Sequence, residues 1–123
     1  MVDAVVPVRE VHGLRVLVVD AAGPVLRDEH AVMDLIGDAF AGRADWVAVP
    51  VERLGPEFFR LRSGVAGAVA QKFANYRVGL AVVGDVAEYV AASDALRDFV
   101  RECDRGRQLW FVPDVAALEA RLA

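Results

Sequence analysis

Val78-Gly79-Leu80-Ala81-Val82-Val83, closed by Gly84-Asp85, is the stretch whose reading decides the fold. A continuous apolar run of this length, ended by a Gly-Asp turn, has the pattern of a strand covered on both faces, the kind found in parallel sheets. Upstream, Trp46 to Val51 is a second short β-rich run, closed by Pro50, and downstream Leu109 to Val112 is a third. Helical patterns separate them. One helix is opened by Ser63-Gly64 and runs to about Tyr76. Another has its regular part capped by Ser93 or Asp94, carries Leu96, Phe99, Val100 and Cys103 at helical spacing, and has Gly106 just past its end. Asp114 caps a terminal helix bearing Val115, Leu118 and Leu122.

Toward the amino terminus, Val5, Val6, Val8 and Val11 lead to His12-Gly13, and Leu14 to Val19 follows, so two β-rich runs flank a turn. After the turn-rich Asp20 to Pro24, Asp28 caps a helix whose expected apolar face is Val32, Leu35, Ile36 and Phe40, ending near Gly42. Gly55-Pro56 starts a turn or short helix carrying Phe58 and Phe59. The expected architecture is therefore α/β: an amino-terminal β-hairpin, then alternating α and β, giving a mostly parallel sheet with flanking helices and right-handed crossovers.

The chain has 123 residues, 56% of them hydrophobic, which is the size and material of a single domain spanning residues 1–123. One cysteine, Cys103, allows no internal disulfide, and no secretory leader pattern is present, so the expected compartment is the cytoplasm. No apolar run approaches the roughly 20 residues of a membrane span. The net charge of −4, with scattered basic residues, argues against nucleic-acid binding. Lys72 is the one lysine among 14 basic residues.

Ligands of open α/β sheets gather beyond the carboxyl ends of the parallel strands. Pro50 to Arg53, Arg60 to Gly64, Gly84-Asp85 and Pro113-Asp114 are expected on that edge, with Arg60, Arg62, Ser63 and Asp85 as its useful polar groups. Ser63 before Gly64 reads either as a helix cap or as a phosphorylated or anion-contacting serine with Arg60 and Arg62 beside it. Asp85 reads either as a turn cap or as a ligand-binding carboxylate. His12, His30 and Cys103 belong to no metal-binding or nucleophile pattern, and no phosphate loop, dinucleotide fingerprint or nucleophile elbow occurs. No catalytic residue, metal or cofactor is expected. The helix after Ser63 is built of small residues, Gly64, Ala66, Gly67, Ala68 and Ala70, which allow close approach of a sheet or of another protein. Lys72, Asn75 and Tyr76 lie two turns beyond its start.

From Asp34 to Leu122 the chain resembles the bacterial family called domain of unknown function 4180. The resemblance rests on Phe58-Phe59-Arg60-Leu61, Ser63-Gly64-Val65-Ala66-Gly67, Gln71-Lys72-Phe73-Ala74-Asn75-Tyr76, Leu80 to Asp85, Leu96-Arg97-Asp98-Phe99 and Phe111-Val112. It implies no activity. The early hairpin, the alternating units and the Ser-Gly at a helix start also resemble the STAS domains of anti-sigma-factor antagonists. In those domains a hydroxyl residue beside glycine is phosphorylated to break a protein complex, and Ser63 holds that place. Leu61 and Arg62 stand where those domains carry an acidic residue and a first serine. The expectation from all of this is a non-enzymatic, STAS-like regulatory module that associates with a protein partner or with itself. Phe58, Phe59, Gly67, Lys72 and Tyr76 would form its contact surface. The alternative is a small-molecule binder or enzyme with a pocket at the strand ends.

Overall fold

In the computed structural model, which describes residues 8–26 and 28–123, the apolar runs lie side by side in one five-stranded sheet of order β1-β2-β3-β4-β5. The strands are β1 (Val8–Val11), β2 (Leu14–Val18), β3 (Trp46–Pro50), β4 (Gly79–Val83) and β5 (Leu109–Val112). β1 and β2 form the expected hairpin, antiparallel, and β2 to β5 are parallel. His12 and Gly13 both have positive φ, 51° and 83°, the geometry of a tight hairpin turn whose twist matches the strands. Val5 and Val6, read as part of the first strand, lie outside the described residues.

Helices fill the crossovers: α1 (Glu29–Ala41), α2 (Gly55–Phe58), α3 (Val65–Asn75), α4 (Ala87–Ala92) and α5 (Asp94–Asp104), with α6 (Val115–Arg121) closing the chain. Side chains cap three of them as the sequence implies. Asp28 accepts from the Ala31 N–H, Ser93 from Leu96 and Asp114 from Ala117. Each such cap contributes about 1 kcal/mol. None of these helices is long and apolar enough to cross a membrane.

Because β2 to β5 advance in one direction, crossovers of one hand put α1, α3 and α5 on the same face. Leu17, Val47, Val49, Leu80, Val82 and Leu109 meet Val32, Leu35, Ile36, Ala66, Phe73 and Leu96 there. Phe40 is not part of this face, contrary to the sequence expectation. It is 54% exposed, and Ala39, fully buried, completes the stripe. Positions 32, 35, 36 and 39 hold the helix against the sheet, and position 40 is turned 100° past position 39 at the last turn.

The opposite face is covered differently. Trp46 faces Gly79 in the β3–β4 register, and a Cβ at position 79 would lie 2.5 Å from the Trp46 ring. The indole therefore lies across β4 and stacks on Trp110 of β5, with centroids 4.3 Å apart. Trp110 donates its Nε1 proton to the Gly106 carbonyl at 2.7 Å and carries the Arg121 guanidinium 4.1 Å from its ring centroid. Leu118 of α6 and Leu122 just past its end pack beside this stack, and Glu119 reaches Arg9 on β1 at 2.7 Å.

α1 and α3 both end in a left-handed residue that is not glycine, Arg43 (φ 55°) and Arg77 (φ 59°). The Ala44 and Val78 N–H groups bond back to Ala39 and Phe73, closing the last turns.

Two substitutions test this account. Gly79→Ala is expected to destabilise the protein by about 1–3 kcal/mol, because the Trp46 ring has no room to move away from the new methyl group. Arg77→Gly is expected to stabilise it by ~1 kcal/mol by relieving the left-handed backbone. Urea unfolding followed by tryptophan fluorescence measures both.

Candidate functional site

The register aligns Pro50 with Val83 and Val83 with Val112, so the carboxyl ends of three parallel strands share one edge. At that edge Gly84 (φ 138°) passes so close to Val51 that a Cβ would lie 2.7 Å from the valine methyl. The Gly84 N–H bonds the Val112 carbonyl at 2.9 Å. This tight seam brings the chain out of β4 into α4, beside the segment that follows α2.

Between that segment and α4 lies an open groove of ≈ 810 Å³. Arg60, Arg62 and Leu61 line one wall and Glu88, Tyr89 and Ser93 the other, with Phe59 at its base. Phe59 is buried and stacks almost parallel on Tyr89, 4.2 Å between centroids, which fixes the tyrosine ring against the wall. Arg60 Nη1 is held 2.9 Å from Glu57 Oε1, a surface pair worth little in water.

The four polar groups expected to converge are not all in this groove. Arg60 and Arg62 line it; Ser63 and Asp85 do not. Ser63 ends a short 3-10 turn over Leu61–Ser63, where its hydroxyl donates to the Glu57 carbonyl at 2.7 Å and accepts the Val65 N–H at 3.2 Å. Gly64, not Ser63, occupies the cap position of α3, in the left-handed conformation at φ 79°. Ser63 therefore joins the end of α2 to the start of α3 while staying exposed. The Asp85 carboxylate accepts the Ala87 N–H at 2.9 Å, closing the turn into α4.

The residues expected as a contact surface separate into two groups. Phe58 and Phe59 are 0% and 5% exposed, packed edge to face in the core, so their rings are not surface. The short α2 presses both against the sheet side. Lys72 and Tyr76 lie on the side of α3 that meets α1, whereas Gly67, roughly half a turn round the helix from them, is open to solvent on another side. A Cβ at Gly67 would meet nothing within 4 Å. Lys72 reaches across to Glu29 at 2.9 Å, over a small hollow of ≈ 140 Å³ lined by Leu26, Val32, Val65 and Val69. Tyr76 packs edge to face on Phe40, 5.5 Å between centroids. Among the described residues these two are the exposed large hydrophobic side chains.

The Glu29–Lys72 hydrogen bond and charge attraction lower the glutamate's proton affinity and raise the lysine's. Burial, with the nearby Glu102 charge, pushes the Cys103 thiol up, which disfavours the nucleophilic thiolate. Among the described residues no polar or charged side chain is buried, and no group of three acidic, histidine or cysteine side chains is placed to hold a metal ion. Sequence reasoning missed Phe40 as a surface residue and Tyr89 as a groove wall. The spacing of Phe40 is compatible with a core stripe, and Tyr89 gains its place only through Phe59, thirty residues away in the chain.

A hairpin followed by parallel βα units, with a groove between α4 and the segment after α2 and an exposed aromatic pair on the helical layer, defines a single-sheet α/β module. The chain belongs to the family described as Domain of unknown function (DUF4180), which it matches over residues 11–122. No curated protein and no solved structure matches it.

The ion pair between α1 and α3 gives a pH prediction. Glu29 has a lowered pKa, so its contribution is complete above the ordinary glutamate range and disappears as pH falls through the lowered value. Lys72 has a raised pKa, so its contribution is complete below the ordinary lysine range and disappears as pH rises through the raised value. The stability difference between wild type and Glu29→Gln should hold constant at neutral pH and close at both extremes. Parallel denaturation curves across the pH range measure it, and an offset that persists in strong acid would contradict the ion-pair account.

Proposed function

We propose that the protein is a non-enzymatic regulatory module of STAS-like type that works by binding another protein or a second copy of itself. Its contact surface is the outer face of α3 with the adjoining edge of α1. The observation that carries this reading is the pairing of Phe40 and Tyr76, 54% and 38% exposed, where the carboxyl ends of α1 and α3 meet. A fold that buries its other large apolar side chains among the described residues leaves these two side by side, which is how protein contact sites are built. The surface character of the titratable groups supports a binding role, since catalytic acids and bases are usually tuned by burial. Ser63, exposed beside Arg62 and joining α2 to α3, is the residue at which a phosphate would act. Its hydroxyl proton would be lost from the Glu57 carbonyl, loosening the start of α3. We place the module in the cytoplasm, where a single half-buried thiol such as Cys103 stays reduced.

The groove favours a second reading, a binder or enzyme for a small anionic molecule. Arg60 and Arg62 would contact the anion, and the fixed Tyr89 ring would contact its apolar part. Asp85 enters this reading only if its turn opens.

Native mass spectrometry of the protein purified from its own cells separates the two. Wild type should carry a protein partner or a second copy, and Tyr76→Arg should run alone with an unchanged circular dichroism spectrum. The Tyr76 side chain is exposed just past the end of α3, outside the core, so the fold should be kept. A complex that survives Tyr76→Arg, or a wild type that carries only a small molecule lost in Arg62→Ala, would defeat the leading reading.

A further inference from the structure

The groove between α4 and the segment after α2 is lined by charges of both signs. Of its two arginines Arg60 is held by Glu57, whereas Arg62 on the same wall is exposed and, among the described residues, takes part in no ion pair. Glu88 on the facing wall is exposed and equally unpaired among those residues. Opposite charges that line one cavity without bonding each other leave both for a ligand. Tyr89, next to Glu88 and half-buried, has one ring face on Phe59, with centroids 4.2 Å apart and planes 9° from parallel. That stack fixes the ring, so the part of it bordering the groove is an apolar surface that loses little rotamer freedom on binding. The cavity of ≈ 810 Å³ lies within the range of about 300–1,000 Å³ of small-molecule sites.

We infer that the groove binds a small aromatic zwitterion, of which the aromatic amino acids are the simplest members, with its carboxylate on Arg62, its ammonium on Glu88 and its ring against Tyr89. The inference rests on the second reading above, that the groove takes a small molecule, and changes the ligand, because an anion leaves Glu88 unused. A purely anionic ligand at Arg62 would meet the Glu88 charge from the facing wall, and a purely cationic one at Glu88 would meet the arginines. A zwitterion satisfies both walls. The guanidinium fork takes a carboxylate through two parallel hydrogen bonds. The other polar groups of the groove are already engaged, Arg60 with Glu57 and the Ser93 hydroxyl with the Leu96 N–H. Both charges are exposed and each contact alone is weakened by water, so binding needs the carboxylate, the ammonium and the ring together.

The test uses the full chain, isotope-labelled, titrated separately with L-phenylalanine, phenylpropionate, phenethylamine and L-alanine. The last three lack the ammonium, the carboxylate and the ring in turn. Amide shifts around Arg62, Glu88 and Tyr89 should saturate with L-phenylalanine, and the other three compounds should bind about tenfold more weakly. In Glu88→Gln, L-phenylalanine should bind no better than phenylpropionate, and in Arg62→Gln no better than phenethylamine, with amide shifts away from the groove unchanged in both variants. Phenylpropionate binding as tightly as L-phenylalanine to wild type would overturn the zwitterion and leave the anionic-ligand reading standing. L-alanine binding as tightly, or L-phenylalanine shifts that survive both substitutions, would overturn the inference as well. Silence with all four compounds at millimolar concentration would remove the groove reading together with it.

Discussion

Burial of β3 and β4 on both faces is the constraint from which the rest of the architecture follows. Val47, Val49, Leu80 and Val82 point to the helical layer, while Ala48 and Ala81 point the other way, and all are at most 1% exposed. Two covers are therefore needed from a short chain. Crossovers of one hand supply the first without special arrangement, since sequential strand order places α1, α3 and α5 together. The second has to be assembled from what remains. Burying a large apolar side chain contributes about 1.5–3 kcal/mol, so a bare sheet face would forfeit much of the stability of a domain this size.

The remaining material is one seven-residue helix, α6, and two tryptophans. α6 alone is too narrow to cover five strands, given a helix diameter of about 10 Å and strands about 4.8 Å apart. The stacked indoles of Trp46 and Trp110 widen the cover, and Gly79 makes that stack fit by leaving β4 without a side chain where the ring crosses it. Arg121 then ties α6 to the stack through the face of Trp110, and Glu119 ties it to the hairpin through Arg9. The far end of the chain is thus held to its beginning across the back of the sheet.

Much of this was legible before any coordinates. Strand and helix order, the hairpin, and the caps at Asp28, Ser93 and Asp114 follow from local chemistry, because each depends on residues a few positions apart. Gly79 was readable as a strand residue but not as the floor of an indole, since its partner is thirty-three positions away and the contact exists only after β3 and β4 pair. Phe58 and Phe59 illustrate the same limit. Adjacent phenylalanines beside arginines look like an exposed contact site, and only the docking of α2 against the core reveals that both are buried. The candidate site was legible as an edge and not as a constellation. Arg60 and Arg62 reach one groove, whereas Ser63 and Asp85 are occupied by their own backbone turns.

Those turns bear on how the two ends of the molecule divide their work. At the carboxyl ends of the strands the polar side chains are largely committed: Ser63 and Asp85 to turns, Arg60 to Glu57 and Arg53 to the Asp20 and Pro24 carbonyls. Rearranging them would release N–H and carbonyl groups that each contribute about 1 kcal/mol when paired. At the opposite edge the exposed groups carry less structural duty. Phe40 and Tyr76 touch each other outside the core, and Arg43 and Arg77 hold a backbone conformation that glycine would hold more easily. Under the contact-surface reading proposed above, those side chains are free to meet a partner, whereas Ser63 and Asp85 first serve the turns that hold them.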